Sequence, residues 1–378
     1  MSDLGPNDHL IGEPGSRDRL STPALIVDLD ALERNIEAMA AYCRTAGVAL
    51  RPHCKTHKSA RVARMQMDAG AVGICAVTLG EAEMLVDAGI PGVLITSPVI
   101  AAKAGRLVAL NARADGLMVV VDNTSNVDEL AAAAQGSGAP LTVVVDFDVG
   151  THRTGVADAG GALALAERIA GSNVLDYGGV QAYAGHLQHV VDYGERRTKA
   201  MEQTERIVNL GERLEAAGLA PPVVTGAGTG THDIDARSGV FTEMQAGSYV
   251  FTDVDYARVA LRDGAARPFD AALFVQTAVI SANTPGQATT DAGLKRFATD
   301  GPDPVPVRGA PDGAIYRFMG DEHGAVVFTE PSQVLAVGDV VECLTPHCDP
   351  TVNLWDLYHL VRGDTLVDIW PVDARGAI

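Results

Sequence analysis

Val48-Ala49-Leu50-Arg51-Pro52-His53-Cys54-Lys55-Thr56-His57-Lys58 runs from a short apolar segment into three cations and two imidazoles within eight residues. The apolar triplet reads as a buried strand and the cationic knot as its C-terminal exit. The pattern recurs downstream. Val72–Val77, Val93–Thr96, Leu117–Val121, Leu141–Phe147, Gly178–Tyr183, Pro222–Thr225 and Phe241–Met244 are further apolar runs, eight with the first. Ala-rich amphipathic segments of helix length separate most of them, at about 58–69, 79–88, 101–113, 125–135, 160–171 and 195–218. Near-continuously apolar strands are expected where a parallel sheet is covered on both faces. Strand–helix repetition with right-handed crossovers builds such a sheet. Eight units in roughly 210 residues predict an α/β fold, a closed (β/α)8 TIM-like barrel. The competitor is an open doubly wound sheet, but no G-x-G-x-x-G follows the first strand to support it.

Outside this repeat the texture differs. Residues 1–22 read as a polar, extended arm. Ala24–Asp28 reads as a strand. Asp30 is expected to open a helix with Glu33 as capping-box partner, and Leu32, Ile36, Met39 and Cys43 fall on one face of it. From about residue 265 the helical periodicity stops. Ala271–Ile280, Ala325–Phe328, Val334–Cys343 and Thr365–Ile369 read as strands of a second, mostly antiparallel β domain. The expected division is an arm over 1–22, a barrel over 23–262 and a β domain over 263–378, with strand 24–28 free to join the last.

At 378 residues and 47% hydrophobic composition the chain can bury a large core. Its net charge of −19 argues against nucleic acid or an anionic membrane as partner. Cys43, Cys54, Cys75, Cys343 and Cys348 are scattered, odd in number and form no C-x-x-C pair, which points to reduced thiols in a cytoplasmic protein. The opening Met-Ser-Asp-Leu-Gly-Pro lacks the basic and apolar regions of a signal peptide. No apolar run reaches the ~18 residues of a membrane span.

In a barrel of this kind the active site lies at the C-terminal strand ends. Lys55 follows the first of the eight strands, and Arg153 follows the fifth. Tyr183 ends the sixth, with His186 and His189 just after it. The seventh runs into Thr225-Gly-Ala-Gly-Thr-Gly230 and the eighth into Gln245-Ala-Gly-Ser-Tyr249. Gly226, Gly228 and Gly230, interleaved with Thr229, would leave backbone N–H groups open to a phosphate, and Gly247 and Ser248 could complete the cup. The plainer alternative is a flexible turn. Lys55 is open to two readings as well. Most lysines are solvated surface charges. Here Arg51, Lys58 and protonated His53 or His57 would raise the cost of its charge, lower its pKa and expose a nucleophilic amine. Such an amine facing a phosphate cup makes a pyridoxal phosphate site. In Thr345-Pro-His-Cys-Asp-Pro350, His347 and Asp349 are two apart and in an extended segment would face one side. The pair suits Mn²⁺, Mg²⁺, Co²⁺ or Zn²⁺, or else belongs to a polar turn. Asp321-Glu-His-Gly324 is a second polar cluster. His9 and His359 read as incidental.

Arg51-Pro-His-Cys-Lys-Thr-His-Lys58 resembles the cofactor-lysine segment of the D-threonine aldolase and D-serine dehydratase family, metal-activated pyridoxal phosphate enzymes of alanine-racemase-like fold (fold type III). The resemblance continues through Gly150-Thr-His-Arg-Thr-Gly155, Gln181-Ala-Tyr183, Gln188-His189, Gly226–Gly230 and Gln245–Tyr249. It extends through Asp291-Ala-Gly-Leu-Lys295, Asp321–Gly324, Pro346–Thr351 and Trp370–Gly376. It implies a barrel with a β domain, Lys55 as the cofactor-bearing lysine and His347 as a metal ligand. Dehydratase members look like His-x-Cys at the metal segment and aldolase members like His-x-Asp. His347-Cys348-Asp349 thus resembles the D-threonine aldolase and 3-hydroxy-D-aspartate aldolase branch, whereas Val77-Thr-Leu-Gly-Glu-Ala82 looks more like the dehydratase version.

The activity this resemblance implies is retro-aldol cleavage of a β-hydroxy-D-amino acid, D-threonine-like or 3-hydroxy-D-aspartate, to glycine and an aldehyde by a carbon–carbon lyase. His189 would take the β-hydroxyl proton, Arg153 would contact the cofactor ring or its phenolate oxygen, and Tyr183 would pack beside the ring. Gly226, Gly228, Thr229, Gly247, Ser248 and Tyr249 would hold the phosphate. His347 and Asp349 would hold a divalent metal, Mn²⁺ first. A homodimer is implied as well. The alternatives are a D-serine or 3-hydroxy-D-aspartate dehydratase and a pyridoxal phosphate-binding protein without turnover.

Overall fold

The computed structural model describes residues 4–264, 267–330 and 332–378. Residues 1–3 of the expected arm, and residues 265, 266 and 331 of the expected β domain, lie outside the described residues. Among those described, eight parallel strands form one sheet: β2 (Ala49–Leu50), β3 (Cys75–Ala76), β4 (Leu94–Ile95), β5 (Met118–Val121), β6 (Leu141–Asp146), β7 (Leu175–Ala182), β8 (Val223–Gly226) and β9 (Glu243–Met244). Their order is β2-β9-β8-β7-β6-β5-β4-β3. A parallel bridge between His53 and Cys75 and the Cys75 N–H donating to the Pro52 carbonyl at 2.8 Å join the two ends. The sheet therefore closes as a TIM-like barrel. Side chains alternate along its strands. Val119, Val121, Val143 and Val145 pack outward with the helices, while Cys75, Leu94, Met118, Val120 and Val144 pack together as a separate inner cluster.

Seven helices follow barrel strands in turn: α2 (Ala60–Asp68), α3 (Leu79–Asp87), α4 (Ala101–Asn111), α5 (Thr124–Ala134), α6 (Ala159–Ala170), α7 (Tyr193–Ala216) and α8 (His232–Arg237). The eighth outer position is taken by α1 (Leu29–Ala46), which packs against α2, α8 and β2. Its N-cap is Asp28, whose carboxylate accepts the Ala31 N–H at 2.9 Å, in place of the expected Asp30. Asp30 and Glu33 form no capping box and pair instead with Arg362.

β1 (Ala24–Asp28) lies in the second sheet, parallel to β16 (Leu357–Arg362) and antiparallel to β10 (Leu273–Ser281). That sheet also holds β11 (Gln287–Thr290), β12 (Val305–Arg308), β13 (Ile315–Phe318), β14 (Gly324–Val327), β15 (Val340–Leu344) and β17 (Thr365–Pro371). Apart from β1 with β16, all its pairings are antiparallel. The strand expected from Val334 starts only at Val340. The N-terminal arm is not extended. It folds into two 3-10 turns, Asp8–Leu10 and Ser16–Arg19, and buries Leu10 and Leu20 against Ile26, Val361 and Ile369. Arg17 grips Glu342 on β15 through Nε and Nη2, both at 2.7 Å. His359 is not incidental to the fold: it is buried, with its ring nitrogens 2.9 Å from Asn7 and 3.3 Å from the Leu25 carbonyl.

Candidate active site

The barrel strands are short, so the polar residues that follow them converge on one mouth. Lys55 lies in the 3-10 turn Cys54–Thr56 directly after β2. His53 anchors the turn. Its Nδ1 accepts the Lys55 backbone N–H at 3.3 Å, and Nε2 lies 3.1 Å from Thr96 Oγ1. Because that hydroxyl donates onward to the Ala76 carbonyl, the His53 proton belongs on Nε2. Lys58 has a left-handed backbone (φ 48°). Its Nζ bonds Glu81 Oε1 at 2.5 Å, and its carbonyl accepts the Ala374 N–H.

These partners overturn the expected electrostatics of Lys55. Arg51 is locked bidentate on Glu243, both bonds at 2.8 Å, and Lys58 is neutralised by the fully buried Glu81. Burial, followed by the Lys55 charge, holds His53 well below the ordinary imidazole range, and burial holds His57 at about 4. Neither is a cation at neutral pH. The Lys55 pKa is raised, not lowered. Burial opposes its charge, but Asp349 and then Tyr183 outweigh that, and Asp349 Oδ2 lies 3.6 Å from Nζ.

Lys55 opens into a cavity of about 260 Å³ shared with Arg153, Tyr183, His189, Gly228, Thr229, Gly247, Ser248, His347 and Asp349. Of the six residues expected to hold the phosphate, two are absent from the cavity walls. A Cβ on Gly226 would lie 2.1 Å from the Ala182 carbonyl oxygen, so this glycine serves the close approach of β8 to β7. Tyr249 is fully buried and accepts a hydrogen bond from Gln66 Nε2 at 2.9 Å. The amides of Gly228 and Gly230 are not open either. They donate to Thr231 Oγ1 and Gln188 Oε1. The cup that remains is Thr229 with Gly247 and Ser248. Gly247 has to be glycine, since a Cβ there would meet Thr56 Oγ1 at 2.8 Å and His53 Cβ at 3.2 Å. The Arg153 guanidinium carbon lies 5.9 Å from the Tyr183 ring centroid. His186 is exposed and contacts Thr151, outside the cavity wall. The floor is a polar ladder. Gln245 Nε2 donates to Gln181 Oε1 and Thr225 Oγ1, and Gln181 Nε2 donates to Asp146 Oδ1. A primary amine, a glycine-cradled cup, a stacked guanidinium and a hydrogen-bonding floor fit a small anionic aromatic cofactor such as pyridoxal phosphate.

His347 and Asp349 face this cavity together, but not from an extended segment. His347 is the N-cap of a short helix, α9 (Cys348–Val352), and Asp349 lies in its first turn. His347 Nδ1 is 2.9 Å from Asp300 Oδ2, which fixes the ring and leaves Nε2 as the free donor atom. Asp349 Oδ1 is buried without a hydrogen-bond partner. An orphaned carboxylate oxygen beside an oriented imidazole fits a divalent cation with open coordination positions. No cluster of three or more His, Cys, Asp and Glu that could hold a metal occurs among the described residues. Cys348 is fully buried, and its N–H donates to Asp253 Oδ2 at 2.9 Å. His189 Nδ1 lies 2.8 Å from Asp255 Oδ2, and the His189 and His347 ring centroids are 6.5 Å apart.

Asp255 and Asp300 escaped the sequence reading. Asp255 follows the last barrel strand, a position that could have marked it. Asp300 sits in a loop of the other sheet and only tertiary structure brings it near. Gln181 and Gln245 stood in quoted motifs, without an assigned role.

The family described as "Alanine racemase, N-terminal domain" matches residues 27–254, and "Putative serine dehydratase domain" matches residues 272–361. A 3-hydroxy-D-aspartate aldolase from Paracoccus denitrificans (strain Pd 1222) is 38% identical over 94% of this chain and 92% of its own length. A D-threonine aldolase from an Arthrobacter species is 37% identical over 95% and 93%. The crystal structure of D-threonine aldolase from Filomicrobium marinum superposes with a TM-score of 0.91 at 39% identity, covering 96% of this chain and 97% of that one. With both sequence families matched in order and these aldolases aligned across almost the whole chain, the protein belongs to the alanine racemase-like family of D-threonine and 3-hydroxy-D-aspartate aldolases and serine dehydratases.

Proposed function

We propose that this protein is a pyridoxal phosphate- and divalent-metal-dependent aldolase that cleaves β-hydroxy-D-amino acids to glycine and an aldehyde. The observation that carries this reading is the side chain next to the site lysine. Asp349 faces the cavity with an unpartnered oxygen, 3.6 Å from Lys55 on its other oxygen, while Cys348 is turned into the core. The metal segment thus has the His-x-Asp character of the aldolases it resembles.

Bound on Lys55, pyridoxal phosphate supplies an electron sink for the carbanion left at Cα. A divalent cation on His347 and Asp349, Mn²⁺ first with Mg²⁺, Co²⁺ or Zn²⁺ as alternatives, would lower the pKa of the β-hydroxyl as a Lewis acid. The remaining work belongs to the chain. His189 takes the β-hydroxyl proton at Nε2, the nitrogen left free by Asp255. Arg153 and Tyr183, stacked on each other, bound the cofactor ring. Thr229, Gly247 and Ser248 bind its phosphate. Loss of the hydroxyl proton and breakage of Cα–Cβ release the aldehyde, and the glycine carbon is then reprotonated. The five free, buried cysteines support a reducing compartment such as the cytoplasm, and we infer a homodimer from the family resemblance.

Incubation with D-threonine tests the reaction. Glycine and acetaldehyde are expected, lost on chelation and restored by Mn²⁺. Ammonia and 2-oxobutyrate would make the protein a dehydratase, and no turnover on any member of a panel with D-phenylserine, 3-hydroxy-D-aspartate and D-serine would leave a binding protein.

A further inference from the structure

Thr252-Asp253-Val254-Asp255-Tyr256, just past the last barrel strand, brings a carboxylate to the imidazole that the proposed reaction uses. Asp255 Oδ2 lies 2.8 Å from His189 Nδ1. The His189 ring also rests on Tyr256, with centroids 4.7 Å apart and planes tilted by 45°. The segment is held in place from both ends. Asp253 is fully buried, and its two oxygens accept the Tyr256 N–H and the Cys348 N–H, each at 2.9 Å. Thr252 adopts a left-handed backbone, φ 52°, a conformation that a β-branched residue keeps only when its surroundings impose it.

The 2.8 Å approach is an ion-pair contact, and repulsion between a carboxylate oxygen and an imidazole lone pair favours the tautomer with the His189 proton on Nδ1, which leaves the Nε2 lone pair free. His347 does not compete for that proton, because its own Nδ1 is held by Asp300. We propose that Asp255 is a positioning residue: it fixes the ring and tautomer of His189 so that Nε2 is the basic nitrogen at the cavity. This rests on the role given to His189 in the proposed reaction. The physical relation is that of the carboxylate behind the histidine of a hydrolase triad, where an Asn replacement keeps the shape but loses the tautomer.

Two measurements on the holoenzyme test it. Long-range ¹H–¹⁵N correlation NMR reports which ring nitrogen carries the proton, with the His189 signals assigned by their loss in His189→Gln. Protonated Nδ1 is expected in the wild type, and a mixed or reversed tautomer in Asp255→Asn. In kinetics, Asp255→Asn should lower kcat for D-threonine cleavage by on the order of 10²-fold or more, leave KM within about twofold, and be partly rescued by Asp255→Glu. A wild-type His189 protonated at Nε2, or an Asp255→Asn enzyme with wild-type kcat, overturns the proposal. If the wild type does not cleave D-threonine, the reaction assigned above fails, while the NMR result still decides what Asp255 does to His189.

Discussion

Asp235, on α8, is a carboxyl buried without a cation at ion-pair distance among the described residues. Burial raises its pKa from the ordinary 3.8 to about 7, opposed by a hydrogen bond from Thr231. The folded state therefore favours the protonated acid, and the carboxylate form costs stability. That cost is absent below about pH 4, grows as pH rises from 3.8, and is complete above about 7. Asp235→Asn should be stabilising at pH 8 and close to neutral at pH 4, with a ceiling of roughly 4 kcal/mol from the pKa difference. Urea unfolding at the two pH values measures it, and an equal effect at both would mean that the acid is not titrating in this range. The residue scale is also where the sequence was least legible. Lys55, Arg153, Tyr183, His189, His347 and Asp349 could be picked out because each follows a strand or stands in a compact motif. Their protonation could not. The cations near Lys55 in sequence are each neutralised by a carboxylate distant in sequence, Glu243 for Arg51 and Glu81 for Lys58, and the group that offsets the burial of Lys55 most is Asp349, from the helix α9 nearly three hundred residues on.

At the scale of elements, α3 and the strand end before it work as one piece. Thr78 and Glu81 form a capping box at the start of α3. Glu81 Oε2 accepts the Val77 N–H at 2.8 Å, and its Oε1 holds Lys58. The segment Val77–Ala82 therefore braces the turn that carries Lys55, whatever it says about the reaction. Glu81→Ala would strand a nearly buried ammonium and should cost about 3–5 kcal/mol in urea melts, with weaker cofactor retention on dialysis. Unchanged stability would mean that Lys58 finds water in the variant. Barrel strands were legible as elements because burial on both faces makes them continuous apolar runs. Those of the second sheet were less so. β12 and β13 expose alternate residues, and β16, although largely buried, carries Tyr358, His359 and Arg362, which break its apolar pattern. The arm was misread because its few apolar residues, Leu10 and Leu20, are spread between polar ones, and many of their partners, Val361, Leu366 and Ile369 among them, lie more than three hundred residues away.

At the scale of the whole molecule, the site belongs to both sheets. The barrel contributes Lys55, Arg153, Tyr183 and His189, and the β domain contributes Asp300, His347 and Asp349. Asp253 joins them. One oxygen takes the Tyr256 N–H beside His189, and the other takes the Cys348 N–H between His347 and Asp349. The Val254 N–H adds a bond to the Thr345 carbonyl at 3.0 Å. Asn in place of Asp253 offers one acceptor and turns an NH₂ group toward a second N–H donor. With the site fully buried, the mismatch should cost about 1–3 kcal/mol. The larger effect should be on geometry, because the helix bearing the metal segment is free to shift relative to His189, and a displacement of about 1 Å can lower turnover by roughly 10²-fold. Asp253→Asn is thus expected to lose far more kcat for D-threonine cleavage than its modest fall in stability would suggest, while keeping the visible absorbance of cofactor on Lys55. A variant that melts earlier yet turns over at the wild-type rate would mean that the two halves of the site are held together by the remaining contacts between barrel and sheet, and that Asp253 is one strut among many.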